Sequence, residues 1–173
     1  MHKEINIPKY DKGYFPCIID TQSHFELLYE YIDKKGPDIK KYVLMDKSIV
    51  QNNPNIYIRL SNTENCYIYE IVSEETYKSI DKAIEILTDI LHKEPSKNDI
   101  IINIGGGIVL NLGGFIAGLL LRGIDFIHVP TTLTAQIDVA LGGKQAVNFL
   151  GYKNQLGFYK DPIFVYVNTN FFK

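Results

Sequence analysis

The chain has 173 residues, 46% hydrophobic and 22% charged, with a formal net charge of −2. A chain of this size is one ordinary domain, or a compact domain with appended hairpins, and is long enough to bury a real core. Its balance is that of a globular protein rather than a disordered or membrane one, and its scattered Lys and Arg offer no basic face to nucleic acid or an anionic membrane. The opening residues MHKEINIPKYDKGYF carry neither the apolar stretch nor the cleavage site of a secretory signal. Cys17 and Cys66 lie outside any metal or redox spacing, so the expected location is the cytoplasm.

In chain order, HFELLYEYI (24–32) sets Phe25, Leu28, Tyr29 and Ile32 at helical spacing, and YVLMD (42–46) reads as a short buried strand ending in an acid. NIYIRL (55–60) and CYIYEIV (66–72), rich in Ile and Tyr, read as two further strands. EETYKSIDKAIEILTDILHK (74–93) is predicted as one amphipathic helix, with Ile80, Ala83, Ile84, Leu87 and Leu91 on its apolar face and Ser73 as N-cap. There follow a strand DIIINI (99–104), a run of glycines, a helix to about Leu121, a strand DFIHV (125–129), a Pro-Thr-Thr turn, a short helix, a Gly-Gly turn and a last strand IFVYV (163–167). The apolar run Ile108 to Leu121 is interrupted by Asn111 and closed by Arg122. It falls short of the roughly 20 residues that span a bilayer and reads as a buried helix. Strands alternating with helices predict an α/β fold, a doubly wound, mostly parallel sheet covered on both faces. Residues 1–173 form one domain in this reading, without internal repeat or linker.

In such sheets ligands bind beyond the carboxyl ends of the strands. After DIIINI come Gly105, Gly106 and Gly107, then a helix whose first amides point into the cleft. Bare backbone lets a diphosphate approach, and the free N–H groups and helix dipole favour its charge. A tight strand-to-helix turn with no ligand fits the same three residues equally well. Gly113, Gly114 and Gly118 lie inside the helix, each at a cost of ~1 kcal/mol relative to Ala, and are expected to mark close packing. The pattern is not the ordinary dinucleotide fingerprint, because position 110 is Leu and Asp125 opens a strand instead of closing one. Asp46 is the better candidate for a ribose hydroxyl, with a turn-forming or helix-capping Asp as the alternative. Further on, Thr131 and Thr132 can donate to phosphate or ribose, Lys144 and Lys153 add two cations, and Asp138 and Asn154 add a carboxylate and an amide. Together the set suits a polyhydroxylated anion, whereas each residue alone reads as a solvated surface group.

The segments GGGIVLN, RG, PTTLTAQID, GGK and KN, in this order between Asp99 and Phe172, resemble the nucleotide-binding half of the sugar phosphate cyclases, the superfamily of 3-dehydroquinate synthase and 2-deoxy-scyllo-inosose synthase. YVLMD and SEETYKSI agree more weakly. Metal-dependent alcohol dehydrogenases share the first motif and the PTT, but LTAQID departs from their usual continuation. The resemblance implies a Rossmann-like NAD-binding domain, the N-terminal half of a 3-dehydroquinate synthase-like lyase. It implies that Gly105, Gly106 and Gly107 hold the NAD diphosphate, that Asn111 lies near the nicotinamide, that Thr131 and Thr132 line the same pocket, and that Asp46, Glu75 and Lys78 address the adenosine. Glu75 and Lys78 also read as an acidic first helical turn with an i,i+3 ion pair worth ~0.2–0.5 kcal/mol. It further implies Lys144 and Asp138 as catalytic groups, Lys153 and Asn154 as substrate-binding, and Arg122 as a phosphate-binding arginine that reaches across a homodimer interface. The implied reaction is transient oxidation of a ring hydroxyl by NAD, loss of phosphate, re-reduction and intramolecular aldol closure. In the family a metal, usually Zn²⁺, polarises that hydroxyl from a Glu and two His of a following helical domain.

The sequence reaches Lys173 before any such segment, and His2, His24, His92 and His128 match none of the family's metal positions. The expectation is therefore a half-enzyme without the helical metal-binding domain, or a separate NAD-binding subunit. Such a chain associates with itself or with a metal-binding partner domain and does not complete the reaction alone. His128, two residues before Pro130, reads as a core or turn residue. GGK and AQID resemble dehydroquinate synthases, whereas Asn111, KQAVN and GFY resemble the 2-deoxy-scyllo-inosose branch, leaving both a heptulosonate phosphate and glucose 6-phosphate open as substrate. A non-catalytic binding or regulatory module is the rival reading, and it has no need of the Lys-rich loop.

Overall fold

Two apolar runs, Lys41–Asp46 and Ile100–Gly105, are buried at every position. A strand can be buried on both faces only at the centre of a sheet covered on both sides, as in parallel α/β architecture. The structure, a computed structural model, describes residues 2–9, 13–21 and 25–172. Its main sheet contains β1 (His2–Pro8), β2 (Tyr14–Asp20), β3 (Lys41–Asp46), β4 (Cys66–Ile71), β5 (Ile100–Gly105), β6 (Asp125–Pro130) and β9 (Phe164–Asn168), in the order β1-β2-β9-β6-β5-β3-β4. β1 pairs antiparallel with β2, and the other pairings are parallel.

Alternation along each strand sends neighbouring side chains to opposite faces. Tyr42, Leu44, Ile101 and Phe126 pack under α4 (Ile80–Leu91) and α5 (Gly107–Leu119). Val43, Met45, Ile102, Ile104 and Ile127 pack under α1 (Glu26–Lys34), α2 (Lys47–Asn52) and α3 (Pro54–Ser61). The doubly wound, mostly parallel α/β sheet expected from the sequence is thus present. No helix among the described residues is long and apolar enough to cross a membrane.

Between β3 and β5 the winding reverses: β3 leads outward to β4 on one side, and β5 leads to β6 on the other. Open sheets of this class form a crevice at such a switch point. A second sheet of two strands, β7 (Lys144–Phe149) and β8 (Tyr152–Tyr159), packs on α5 with Gln145 and Val147 buried. Its loop is the pair Leu150 and Gly151, with φ of 50° and 82°, the left-handed conformation that two-residue hairpin turns require.

The glycines inside α5 pack as expected. A Cβ on Gly113 would fall 1.6 Å from Asn103 Oδ1, one on Gly114 1.9 Å from Gln145 Oε1, and one on Gly118 2.0 Å from the Phe158 ring. The helix backbone therefore rests directly on β5 below and on the hairpin beside it.

Four expectations from the sequence need correction. Residues 55–60 are helical: Pro54 occupies the first turn of α3, and the pair buried is Ile56 and Leu60, four apart, while Ile58 stays exposed. The helix of 74–93 begins later. Glu75–Tyr77 forms a separate tight turn, Ser79 caps α4 by accepting from Lys82 N at 3.2 Å, and Ser73 instead donates to Asp46 Oδ2. Its buried face is Ala83, Ile86 and Ile90, with Ile84 and Leu91 exposed. The paired strands β1 and β2, and the hairpin of β7 and β8, are additions to the elements expected from the sequence. His24, at the start of the predicted first helix, lies outside the described residues.

Candidate functional site

At the switch point the backbone of β5 runs through Gly105 into α5, and each glycine of the turn has its own reason. A Cβ on Gly105 would lie 2.6 Å from Val109 Cγ2 and 3.2 Å from Asp46 Cβ, so Gly105 lets β5, β3 and α5 meet. Gly106 has φ −78° and ψ −172°, extended backbone open to any residue, and its nearest neighbour would be Thr132 Cγ2 at 3.3 Å. Gly107, the first helical residue, faces Val139 at 3.3 Å. No side chain caps α5. The first amides of a 13-residue helix are thus left for a ligand, and their dipole suits an anion. That bare turn fits a diphosphate, as NAD would bring.

Asp46 ends β3 beside this turn and is already engaged: its Oδ1 accepts from Ser48 N and Ser48 Oγ, both at 2.8 Å, and its Oδ2 accepts from Ser73. The capping alternative is therefore realised locally. Thr131, after β6, is buried, and its N–H donates to Gly105 O at 3.0 Å. Thr132 Oγ1 accepts from Ala135 N at 3.3 Å, capping one wide turn, Ala135–Val139, closed by Ala140 N to Ala135 O.

Asn111, Asp138, Lys144 and Asn154 line one cleft of about 450 Å³, together with Gln145 and Phe158. A second recess, of about 600 Å³, is lined by Glu75, Ser79, Asn148 and Lys153. Between them runs a chain of hydrogen bonds. The buried Lys78 Nζ donates to Asn154 Oδ1 at 2.8 Å and lies 3.3 Å from Glu75 Oε1. Asn148 Nδ2 donates to Glu75 Oε1 at 2.8 Å and to Glu75 O at 3.2 Å, while Asn148 Oδ1 accepts from Asn154 N at 2.9 Å. The bond from Asn148, helped by the Lys78 ammonium, holds the Glu75 carboxyl below its ordinary pKa.

Arg122 is placed elsewhere. It follows α5 with φ 64° and is exposed just before β6 begins, so the length of α5, roughly 20 Å, separates it from the glycine turn. Sequence reasoning also missed Asn148, which sits on a strand, β7, that the sequence did not announce. A buried polar group lies under α5 as well. Asn103 Nδ2 is 3.3 Å from His128 Nδ1, and Asn103 Oδ1, His128 Nε2 and Gln145 Oε1 have no hydrogen-bond partner among the described residues. Burial drives the His128 pKa down to about 3, so the ring is neutral and belongs to the core, as its sequence context suggested. Among the described residues no three His, Cys, Asp or Glu side chains come together as a metal site.

Known proteins are similar to this chain in sequence and in fold. The 3-dehydroquinate synthase N-terminal family matches residues 68–173. A 3-dehydroquinate synthase of Clostridium tetani is 39% identical over 161 residues, covering 92% of this chain and 43% of the relative. One from Caldanaerobacter subterraneus subsp. tengcongensis is 37% identical over 153 residues, covering 82% and 42%. The chain thus spans less than half the length of these relatives. Among solved structures, 2-deoxy-scyllo-inosose synthase complexed with carbaglucose-6-phosphate, NAD⁺ and Co²⁺ superposes with a TM-score of 0.81 at 26% identity, covering 98% of this chain and 46% of that one. An iron-containing alcohol dehydrogenase shares the fold at 16% identity and a TM-score of 0.70, over 92% of this chain and 48% of its own.

Proposed function

The chain belongs to the 3-dehydroquinate synthase family, and from that premise we propose that it is the NAD-binding half of a sugar phosphate cyclase, contributing the cofactor cradle and part of the substrate site. The observation that carries this reading is the uncapped, side-chain-free turn at the switch point, beside a cleft that gathers Asn111, Asp138, Lys144 and Asn154. In it the amides at Gly106 and Gly107 receive the diphosphate, with Gly105 holding the turn in place. Asp46, Glu75 and Lys78 address the adenosine, and Asn111, Thr131 and Thr132 line the nicotinamide side. NAD, when bound, supplies reversible hydride acceptance.

The chain's own side chains bind and orient. Lys144 and Lys153 attract the phosphate of a sugar phosphate, and Lys144 balances negative charge developing on the ring. Asp138 accepts from ring hydroxyls, and Asn154 fixes their orientation. Arg122, the length of α5 away from its own glycine turn, serves the site of a second copy in a homodimer. A heptulosonate phosphate is the preferred substrate, in keeping with the 37–39% identical relatives. Glucose 6-phosphate is the second, in keeping with the structural neighbour that holds its carba analogue.

Calorimetric titration with NAD tests the reading. Saturable binding is expected, and no saturable heat up to millimolar cofactor overturns it. Because Gly106 has backbone angles that any residue adopts, Gly106→Val is expected to fold, as circular dichroism will show, and to lose binding, its side chain filling the diphosphate's place.

A further inference from the structure

Asn148 has no role in the assignments above, yet it makes three side-chain hydrogen bonds within the candidate site. Its amide nitrogen holds the carboxylate and the carbonyl of Glu75, and its amide oxygen holds the Asn154 N–H. Its backbone N–H donates to Lys78 O at 2.7 Å, and the strand bridges Ser79 there. Asn154 is in the left-handed conformation, φ 54°, which aims its side chain back at Lys78. One residue of β7 thereby touches both the turn that carries Glu75 and Lys78 and the strand that carries Lys153 and Asn154.

We propose that Asn148 is a positioning residue that makes the 75–79 turn and the β8 strand a single unit, so that cofactor binding by Glu75 and Lys78 depends on the hairpin. The proposal rests on the NAD-binding reading for its second half only. Asn148 is suited to the task because an amide donates and accepts at once, and Glu75 and Asn154 N need one of each. An aspartate keeps the bond from Asn154 N but turns a second oxygen toward the Glu75 carboxylate, where the two charges repel.

The test is a reciprocal exchange, Asn148→Asp, Glu75→Gln and the double variant, read by amide hydrogen exchange and by NAD titration. Asn148→Asp is expected to speed exchange in both segments, 74–80 and 150–157, and to weaken NAD about tenfold, the scale of one charge-assisted hydrogen bond. In the double variant the introduced glutamine can donate to the introduced aspartate, so part of the protection returns in both segments while the bond to the Glu75 carbonyl stays lost, and NAD affinity rises above that of Asn148→Asp toward that of Glu75→Gln alone. If Asn148→Asp speeds exchange in only one of the two segments, or the double variant gains nothing, Asn148 does not couple the two. If exchange behaves as expected and the wild type binds NAD with an affinity that Asn148→Asp leaves unchanged, the dependence on the hairpin is wrong. If the wild type does not bind NAD, the functional reading falls, the dependence on the hairpin falls with it, and the exchange data still decide the coupling.

Discussion

A single side chain can set how the protein answers to pH. His128 is buried, with its Nδ1 against Asn103 and its ring edge against Phe126, and burial lowers its pKa from 6.5 to about 3. Above pH 6.5 the ring is neutral folded or unfolded and contributes nothing. As pH falls from 6.5 toward 3 the unfolded chain takes up a proton that the folded one refuses, so stability declines by up to ~1.4 kcal/mol per pH unit. Urea midpoints measured at pH 7.5, 6 and 5 are therefore expected to fall, and the fall should be shallower in His128→Gln; equal slopes in the two proteins would remove His128 as the cause. At this scale the sequence was partly readable. Gly113, Gly114 and Gly118, inside α5, announced close packing correctly, but nothing local told that their partners would be the amides of Asn103 and Gln145 and the ring of Phe158, residues drawn from 103 to 158 by tertiary folding.

Among the elements, the buried strands were the easiest to read, because runs such as IIINI and YVLM have no other use than the centre of a covered sheet. Short amphipathic pieces were harder. In PNIYIRLS the isoleucines at 56 and 58 alternate as in a strand, while Ile56 and Leu60 keep helical spacing; Pro54 at the first turn is the feature that decides for a helix. The hairpin β7 and β8 was hidden for a different reason: nearly all of β8 is exposed, so it carries little apolar alternation, and its turn uses Leu150 at positive φ where Asn or Gly would have signalled it. For α4 the choice lay between two serines. Ser79, not Ser73, accepts from the first-turn amide, so Ser79→Ala is expected to cost about 1 kcal/mol, read as a lowered urea midpoint and faster exchange at Lys82. An unchanged midpoint and unchanged exchange at Lys82 would show that the helix is capped elsewhere. The candidate site was legible as a set of residues after strands, and the cleft unites Asn111, Asp138, Lys144 and Asn154. The bonds that tie Glu75 to Asn148 and Lys78 to Asn154 were not legible, because they join positions over seventy residues apart.

At the level of the whole molecule, the groups gathered in the cleft set the expectation for catalysis. The described residues gather cations, amides and an open helix end, and they gather no metal-ligand cluster. The expected result is that the chain, given NAD, Zn²⁺ and either a heptulosonate phosphate or glucose 6-phosphate, releases no inorganic phosphate above background, and gains activity when a metal-binding half from a relative is supplied. Turnover by the chain alone in a phosphate-release assay would overturn this. The order of strands also governs how the molecule is made. β9, late in the chain, occupies an interior slot between β2 and β6, and Tyr166 on it donates to Asp20 across 146 residues. The hairpin of β1 and β2 is made before β9 and has no place in the parallel sheet until β9 is complete. Phe15 and Cys17 await the Val165 and Val167 they are packed with. Assembly is thus bound to contacts between distant parts of the chain and to slow closure, and the newly made segment is most prone to aggregate in the interval before β9 slides into place.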